Sequence, residues 1–265
     1  QSRDGIVTAP FNHFKQILCK ERENLLPLNT MEKKRVSTGI SGLDPLIEGG
    51  FPAGKSYLVT GEPGSGKSIF CMQFILQGLL EGENAVYVAV DEKPTDIVEG
   101  AASLGWELKK YVDERKLLIL DASPYFNARV GKGGGVDVAK TVEDLANYVK
   151  RMGAARVVID PVGPLISSVD SGAPPQDHVR MLVHSLQSYM GTTNLLSSYN
   201  FGGNSTEQGI EEYLVAGVVV LGVSRIQNRL ARTLMVRKMR GTAIDLAEHQ
   251  FNIVRGKGIS LKQVL

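Results

Sequence analysis

The octapeptide GEPGSGKS at residues 61–68 constrains this chain more than any other stretch. It satisfies G-x-x-x-x-G-K-[ST] at every fixed position, follows the apolar run SYLVTG and precedes a segment with helical apolar spacing. A strand, a glycine loop and a helix in that order make a cradle for phosphate. Gly61, Gly64 and Gly66 let the backbone turn tightly, with Glu62, Pro63 and Ser65 between them, and bring N–H groups onto phosphate oxygens. The start of the helix, through Ile69, adds partial positive charge. In that geometry Lys67 reaches the β- and γ-phosphates and the Ser68 hydroxyl ligates Mg²⁺. The competing reading is a glycine turn before a buried helix; the full motif in its strand–helix context favours the nucleotide.

The rest of the chain is organised around that unit. Short apolar runs at 56–61, 84–91, 116–121, 155–160 and 193–199 alternate with helical patterns. The first helix carries Ile69, Phe70, Phe74, Ile75 and Leu79 and stops near Gly82. Others are expected over 137–152, with Val138, Val142, Leu145 and Val149 on one face, and over 176–190. This alternation predicts an α/β fold with a mostly parallel central sheet covered by helices on both faces. After residue 212 the runs LVAGVVVLGV, TLMVRKMR and HQFNIV follow one another without a helix, which predicts an antiparallel C-terminal extension. The expected organisation is an N-terminal arm over 1–35, one domain over 36–256 and a tail over 257–265. GKGGG at 131–135 reads as a flexible loop.

Composition excludes some classes. A net charge of +2 is not that of a strongly basic nucleic-acid protein. Cys19 and Cys71 have no paired spacing, which argues against a disulfide framework and fits a reducing cytoplasm. No apolar run reaches the length of a membrane span, and no signal peptide is visible. His13, His178, His184 and His249 are scattered without metal spacing. Cys71 reads as core, and Trp106 as a packing residue at the start of an LKKYVDER helix.

Three apolar runs end in aspartate: Asp91, Asp121 and Asp160. One of them should hold the metal, directly or through water, and spacing alone does not choose. An aspartate there can equally cap a turn. Asp91 is followed by Glu92, and adjacent carboxylates near the phosphate loop could activate a water, or simply form a solvated turn before Pro94.

Three blocks carry a family resemblance: TGISGLDPLIEGGFPAG leading into the phosphate loop, the pair DE followed by KP, and RKMRGT followed by QFNIV and GKGIS. Together, over about residues 36–262, they resemble the KaiC branch of the RecA superfamily of ATPases. The resemblance implies ATP as the nucleotide with Mg²⁺, Asp160 as the metal-holding acid and Glu92 as the general base, with Asp91 beside it. Many family members have Glu where this chain has Asp91. Asp121 then falls to a structural role. It also implies a homo-oligomer, most often a hexamer, with nucleotide between subunits. Lys238 and Arg240 of RKMRGT would reach the neighbour's γ-phosphate; read as residues alone, the same run is a basic strand end facing solvent.

What the ATP serves is less constrained. The resemblance places Glu212 and Tyr213 where the clock ATPase's autokinase domain carries its Ser and Thr acceptors. A carboxylate forms no stable phosphoester, so autophosphorylation is disfavoured, with Tyr213 the remaining acceptor. A DNA recombination motor would need basic channel loops. The matching stretches, 161–179 and 200–212, contain no Lys or Arg, and the second carries Glu207, Glu211 and Glu212. Arg129 and Lys132 lie elsewhere and are too few to compensate. The expectation is therefore a slowly hydrolysing, nucleotide-gated switch; the arm and tail could dock an unidentified protein partner, or simply be the disordered ends of a chain.

Overall fold

Five strands stand where the apolar runs predict them, in a computed structural model that describes residues 34–123, 138–164, 175–199, 210–226 and 229–262. Residues 1–33 of the arm expected over 1–35, the GKGGG loop with Arg129 and Lys132, and most of the two stretches weighed for DNA lie outside the described residues. After a short antiparallel pair, β1 (Arg35–Val36) and β2 (Phe51–Pro52), come β3 (Ser56–Gly61), α1 (Lys67–Leu80), β4 (Asn84–Ala89), α2 (Pro94–Ser103), α3 (Leu108–Asp113) and β5 (Leu117–Asp121). Then follow α4 (Val138–Met152), β6 (Ala154–Asp160), α5 (Pro175–Met190), β7 (Thr193–Tyr199), α6 (Ile210–Leu214), β8 (Gly217–Ile226), β9 (Arg229–Met239), β10 (His249–Val254) and β11 (Gly258–Leu261).

Among the described residues the main sheet runs β11-β10-β9-β8-β3-β7-β6-β4-β5. Neighbours from β8 to β5 are parallel, whereas β9, β10 and β11 add on antiparallel. The α/β fold with its antiparallel extension is therefore as the alternation implies.

Both faces of the parallel part are covered, which is why its strands are apolar at nearly every position. Along β4, Tyr87 and Ala89 pack with Phe70, Phe74 and Ile75 of α1 and Ile97 of α2. Val86 and Val88 face Val142, Leu145 and Val149 of α4 and Leu182 and Leu186 of α5. Cys71 lies buried in the α1 layer, and burial pushes its thiol pKa up, as fits a core cysteine. Trp106 is buried just before α3. No helix among the described residues is long and apolar enough to cross a membrane.

The tail expected from residue 257 is corrected by the structure. β11 pairs with β10, Ile259 is fully buried, and the Ile259 N–H donates to Gln73 Oε1 of α1 at 2.7 Å. Gln73 Nε2 donates in turn to the carbonyls of Gly39 and Lys257 at 2.7 and 2.9 Å. A four-residue strand is too short to show a period, and the polar side chain that captures it is far away in sequence.

A buried guanidinium joins the elements that carry the site. Arg156, near the start of β6, is fully buried. It donates to Glu83 and Glu81 at 2.6 Å each and to the carbonyls of Ser37 and Phe74 at 2.7 and 2.9 Å. Helix α1 makes room for it with Gly78, where an added Cβ would stand 2.4 Å from Arg156 Nε and 2.6 Å from its Cδ. In an open helix, alanine for glycine stabilises by about 1 kcal/mol. Here the overpacking penalty, roughly 1–3 kcal/mol, is added to strain on a guanidinium bonded on every side. Gly78→Ala is expected to lose about 2 kcal/mol net in urea unfolding; a gain would mean that the guanidinium moves aside freely.

Candidate functional site

The parallel strands end at one level, and the chemically active side chains collect there. In the register of the sheet Gly61 lies between Tyr199 and Leu221, and Ala89 lies between Asp160 and Asp121. The carboxyl ends of parallel strands are where open α/β sheets place ligands.

The phosphate loop leaves β3 at Gly61, which has no room for a side chain: a Cβ would sit 2.1 Å from the Leu221 carbonyl oxygen of β8. Gly64 and Gly66 have φ of 78° and 110°, the left-handed region that favours glycine. Open space lies beside Gly64, where a Cβ would have no neighbour within 4 Å. Glu62 and Pro63 are exposed, and the Ser65 N–H donates to the Glu62 carbonyl at 3.2 Å. Ser65 Oγ is buried without a hydrogen-bond partner among the described residues. Lys67 opens α1, with Ser68 and Ile69 in its first turn. Positive φ, open space beside the backbone, an orphaned hydroxyl and a helix N-terminus together fit an anionic ligand.

Lys67 Nζ donates to the carbonyls of Gly61 and Glu62 at 2.9 Å each and lies 4.6 Å from the centre of the Tyr199 ring. Burial lowers its pKa, and the negative charge of Asp160 opposes that shift. Asp160, at the end of β6, is buried and accepts from two hydroxyls, Tyr87 Oη at 2.6 Å and Ser197 Oγ. Both of its oxygens are thereby fixed in direction. Glu92 is exposed beyond β4, and its pKa is raised by the protein packed around the carboxyl and by the like charges of Asp160, Asp96 and Asp91. Asp91 accepts from Tyr199 Oη at 3.1 Å. Burial, then Asp91, pushes the Tyr199 pKa up to about 12, so the phenol stays a donor. Asp121 is different: it is exposed and accepts from the N–H and hydroxyl of Ser123 at 2.9 and 2.6 Å, bonds within its own turn.

Lys238 and Arg240 are not brought to this loop. Lys238 pairs with Val218 and Met239 with Gly217, at the start of β8 and before Leu221. That separation is about 10 Å along the strands, with β8 intervening. Lys238 Nζ donates to the carbonyls of Glu212 and Tyr213 at 2.7 and 3.1 Å, and Arg240 Nη2 to that of Tyr213 at 2.7 Å. Burial and the charge of Arg240 lower the Lys238 pKa. Glu212 holds Arg237 through bonds of 2.9 and 3.0 Å, while Tyr213 is 79% exposed.

Tyr87, Ser197, Tyr199 and Arg232 were not anticipated. The first three lie in apolar strands, where a hydroxyl reads as packing until register shows what it faces. Arg232 Nε lies 3.5 Å from the Gly64 carbonyl oxygen. It reaches the loop only because β9 runs antiparallel to β8, which a sequence of alternating residues does not display.

Comparison with known proteins agrees with this architecture. The family model "ATPase: KaiC" matches residues 36–264. A UPF0273 protein of Pyrococcus furiosus is 33% identical over 244 residues, 85% of this chain and 93% of that protein. The circadian clock oscillator protein KaiC of Synechococcus elongatus is 35% identical over 233 residues, 86% of this chain but 44% of the clock protein, so the chain spans less than half of it. The crystal structure of a KaiC-like protein from the hyperthermophilic archaeon Pyrococcus horikoshii superposes with a TM-score of 0.75 at 33% identity, covering 87% of this chain and 99% of that one. On the family match and these identities, the chain belongs to the KaiC family of ATPases and has its RecA-like fold.

Proposed function

We propose that this protein is an Mg²⁺-dependent ATPase that hydrolyses ATP slowly by water attack and works as a nucleotide-gated switch in a cytoplasmic homo-oligomer, most simply a hexamer. The observation that carries the reading is the position of Asp160, whose charge acts on both Lys67 and Glu92 while its own oxygens are fixed by Tyr87 and Ser197. Backbone N–H groups of residues 61–69, Pro63 apart, would receive the phosphates and Lys67 would anchor them. Ser68 and Asp160 would hold Mg²⁺, whose charge would offset that of the β- and γ-oxygens when bound. Glu92 would take the proton of the attacking water, with Asp91 beside it held by Tyr199. Lys238 and Arg240, turned away from the loop of their own chain, suit a role at a neighbour's γ-phosphate.

With γ-labelled ATP and Mg²⁺, label should appear as free phosphate and not on the protein; label on the protein would replace hydrolysis by autophosphorylation. Glu92→Gln should lower kcat by about 10²–10⁴-fold with little change in nucleotide affinity, and full retained hydrolysis would remove Glu92 as the base.

Because its pKa is raised, Glu92 loses its charge, and with it the ability to accept a proton, at a higher pH than an ordinary glutamate. Asp96→Asn removes one like charge, lowers that pKa and should move the acid limb of the kcat profile to lower pH. An unmoved limb would mean that another group titrates there.

Arg240→Ala and Lys67→Ala subunits should each be inactive alone, since a transition-state arginine is worth on the order of 10³–10⁵ in rate. Mixed, they should regain a fraction of the activity from sites that combine the intact loop of one chain with the intact arginine of another. No recovery would refute the role in trans.

A further inference from the structure

The loop that follows Arg240 is tied to the beginning of the domain by two residues that the reaction does not use. Arg35 on β1 donates through Nη1 to the carbonyls of Ile47 and Gly50 at 2.8 and 2.9 Å. Through Nη2 it reaches Glu48 Oε2 at 2.6 Å and Thr242 Oγ1 at 3.2 Å. The other Glu48 oxygen, Oε1, accepts the Ala243 N–H at 3.2 Å. Residues separated by 195 and 207 positions thus meet at one carboxylate and one guanidinium.

Glu48 occupies a conformation that its side chain disfavours. Its φ and ψ are 56° and 36°, left-handed, and Gly49 and Gly50 continue with φ of 97° and 119°. Glycine would adopt all three positions without strain. A non-glycine residue held there, with both carboxylate oxygens engaged, calls for a functional account. The ion pair supplies little of one, because Arg35 is 16% exposed but Glu48 is 49% exposed, and an ion pair open to solvent on one side contributes little to folding. What the pair does is fix the far side of the loop. The near side is held by Arg240 N–H on the Ala216 carbonyl at 2.7 Å and by the Arg240 guanidinium on that of Tyr213 at 2.7 Å.

We propose that Arg35 and Glu48 are positioning residues that clamp the 240–243 loop, so that Arg240 is presented in a set direction to the neighbouring subunit. The inference rests on the proposed role of Arg240 in trans. It predicts that Glu48 matters in the chain that donates Arg240 and not in the chain that supplies the phosphate loop.

The test compares mixtures of inactive chains, with Lys67→Ala plus Arg240→Ala as the reference. In the first, Glu48→Gly is placed on the Lys67→Ala chain, which donates Arg240. In the second, it is placed on the Arg240→Ala chain, which supplies the loop. The first mixture should fall about 10- to 100-fold below the reference, the scale of a misplacement of an ångström, and the second should match it. Glu48→Gly alone should keep or raise the thermal midpoint, because glycine relieves the left-handed strain, while amide exchange at Ala243 quickens. Equal losses in both mixtures, no loss in either, or unchanged exchange at Ala243 would overturn the clamp. If Arg240→Ala alone hydrolyses ATP like the unmodified protein, the role in trans fails first, and the clamp with it.

Discussion

The arrangement rests on one buried cation. Arg156 sits where β6 begins and where α1 ends, and each of its three guanidinium nitrogens is hydrogen-bonded. Those two elements carry the site at their other ends, Lys67 at the start of α1 and Asp160 at the end of β6. Helix α1 is about 20 Å long and the strand runs about 13 Å from Arg156 to Asp160, so a tilt at the clamp is magnified at the loop. The cation also holds the Ser37 carbonyl, which joins the segment leading into β2 to the same frame. A guanidinium suits this place because its planar fork serves two carboxylates and two carbonyls at once.

The site itself is a product of sheet register. No two of Lys67, Asp91, Glu92 and Asp160 come from the same strand–loop segment except the adjacent pair, yet parallel pairing ends β3, β4, β6 and β7 at a common level. Hydroxyls on the intervening strands complete it. Tyr87 and Ser197 steer Asp160, and Tyr199 spans from Asp91 to the vicinity of Lys67. Burial and the charges of Asp160, Asp96 and Asp91 raise the Glu92 pKa, and Asp160 also opposes the effect of burial on Lys67. The electrostatics thus follow from how the strands are stacked.

Much of this was legible in the sequence because its periods are strong. SYLVTG and TNLLSSY mark β3 and β7 to the residue, and the amphipathic spacing places α4 and α5 within one residue at each end. GISL at the C-terminus was not legible, since its capture depends on Gln73, a polar residue on an otherwise apolar helix. The leading block STGISGLD also gains its meaning only in three dimensions: Asp44 turns back to accept from Ser37 Oγ at 2.6 Å and the Thr38 N–H at 3.0 Å, closing the turn that approaches α1.

By itself the sequence determined the strand–loop–helix unit, the mostly parallel sheet with its antiparallel extension, and three aspartates of which one would matter. Local spacing encodes those features, because a period of two or of 3.6 residues and a glycine-rich loop are properties of consecutive positions. Only the tertiary structure showed how differently two of those aspartates are held: Asp160 is gripped by hydroxyls from neighbouring strands, and Asp121 closes its own turn. It also decided that Arg240 points away from its own phosphate loop and that Glu48 holds the loop after it. Those outcomes depend on strand order, and strand order is settled by packing between residues that are distant in the chain.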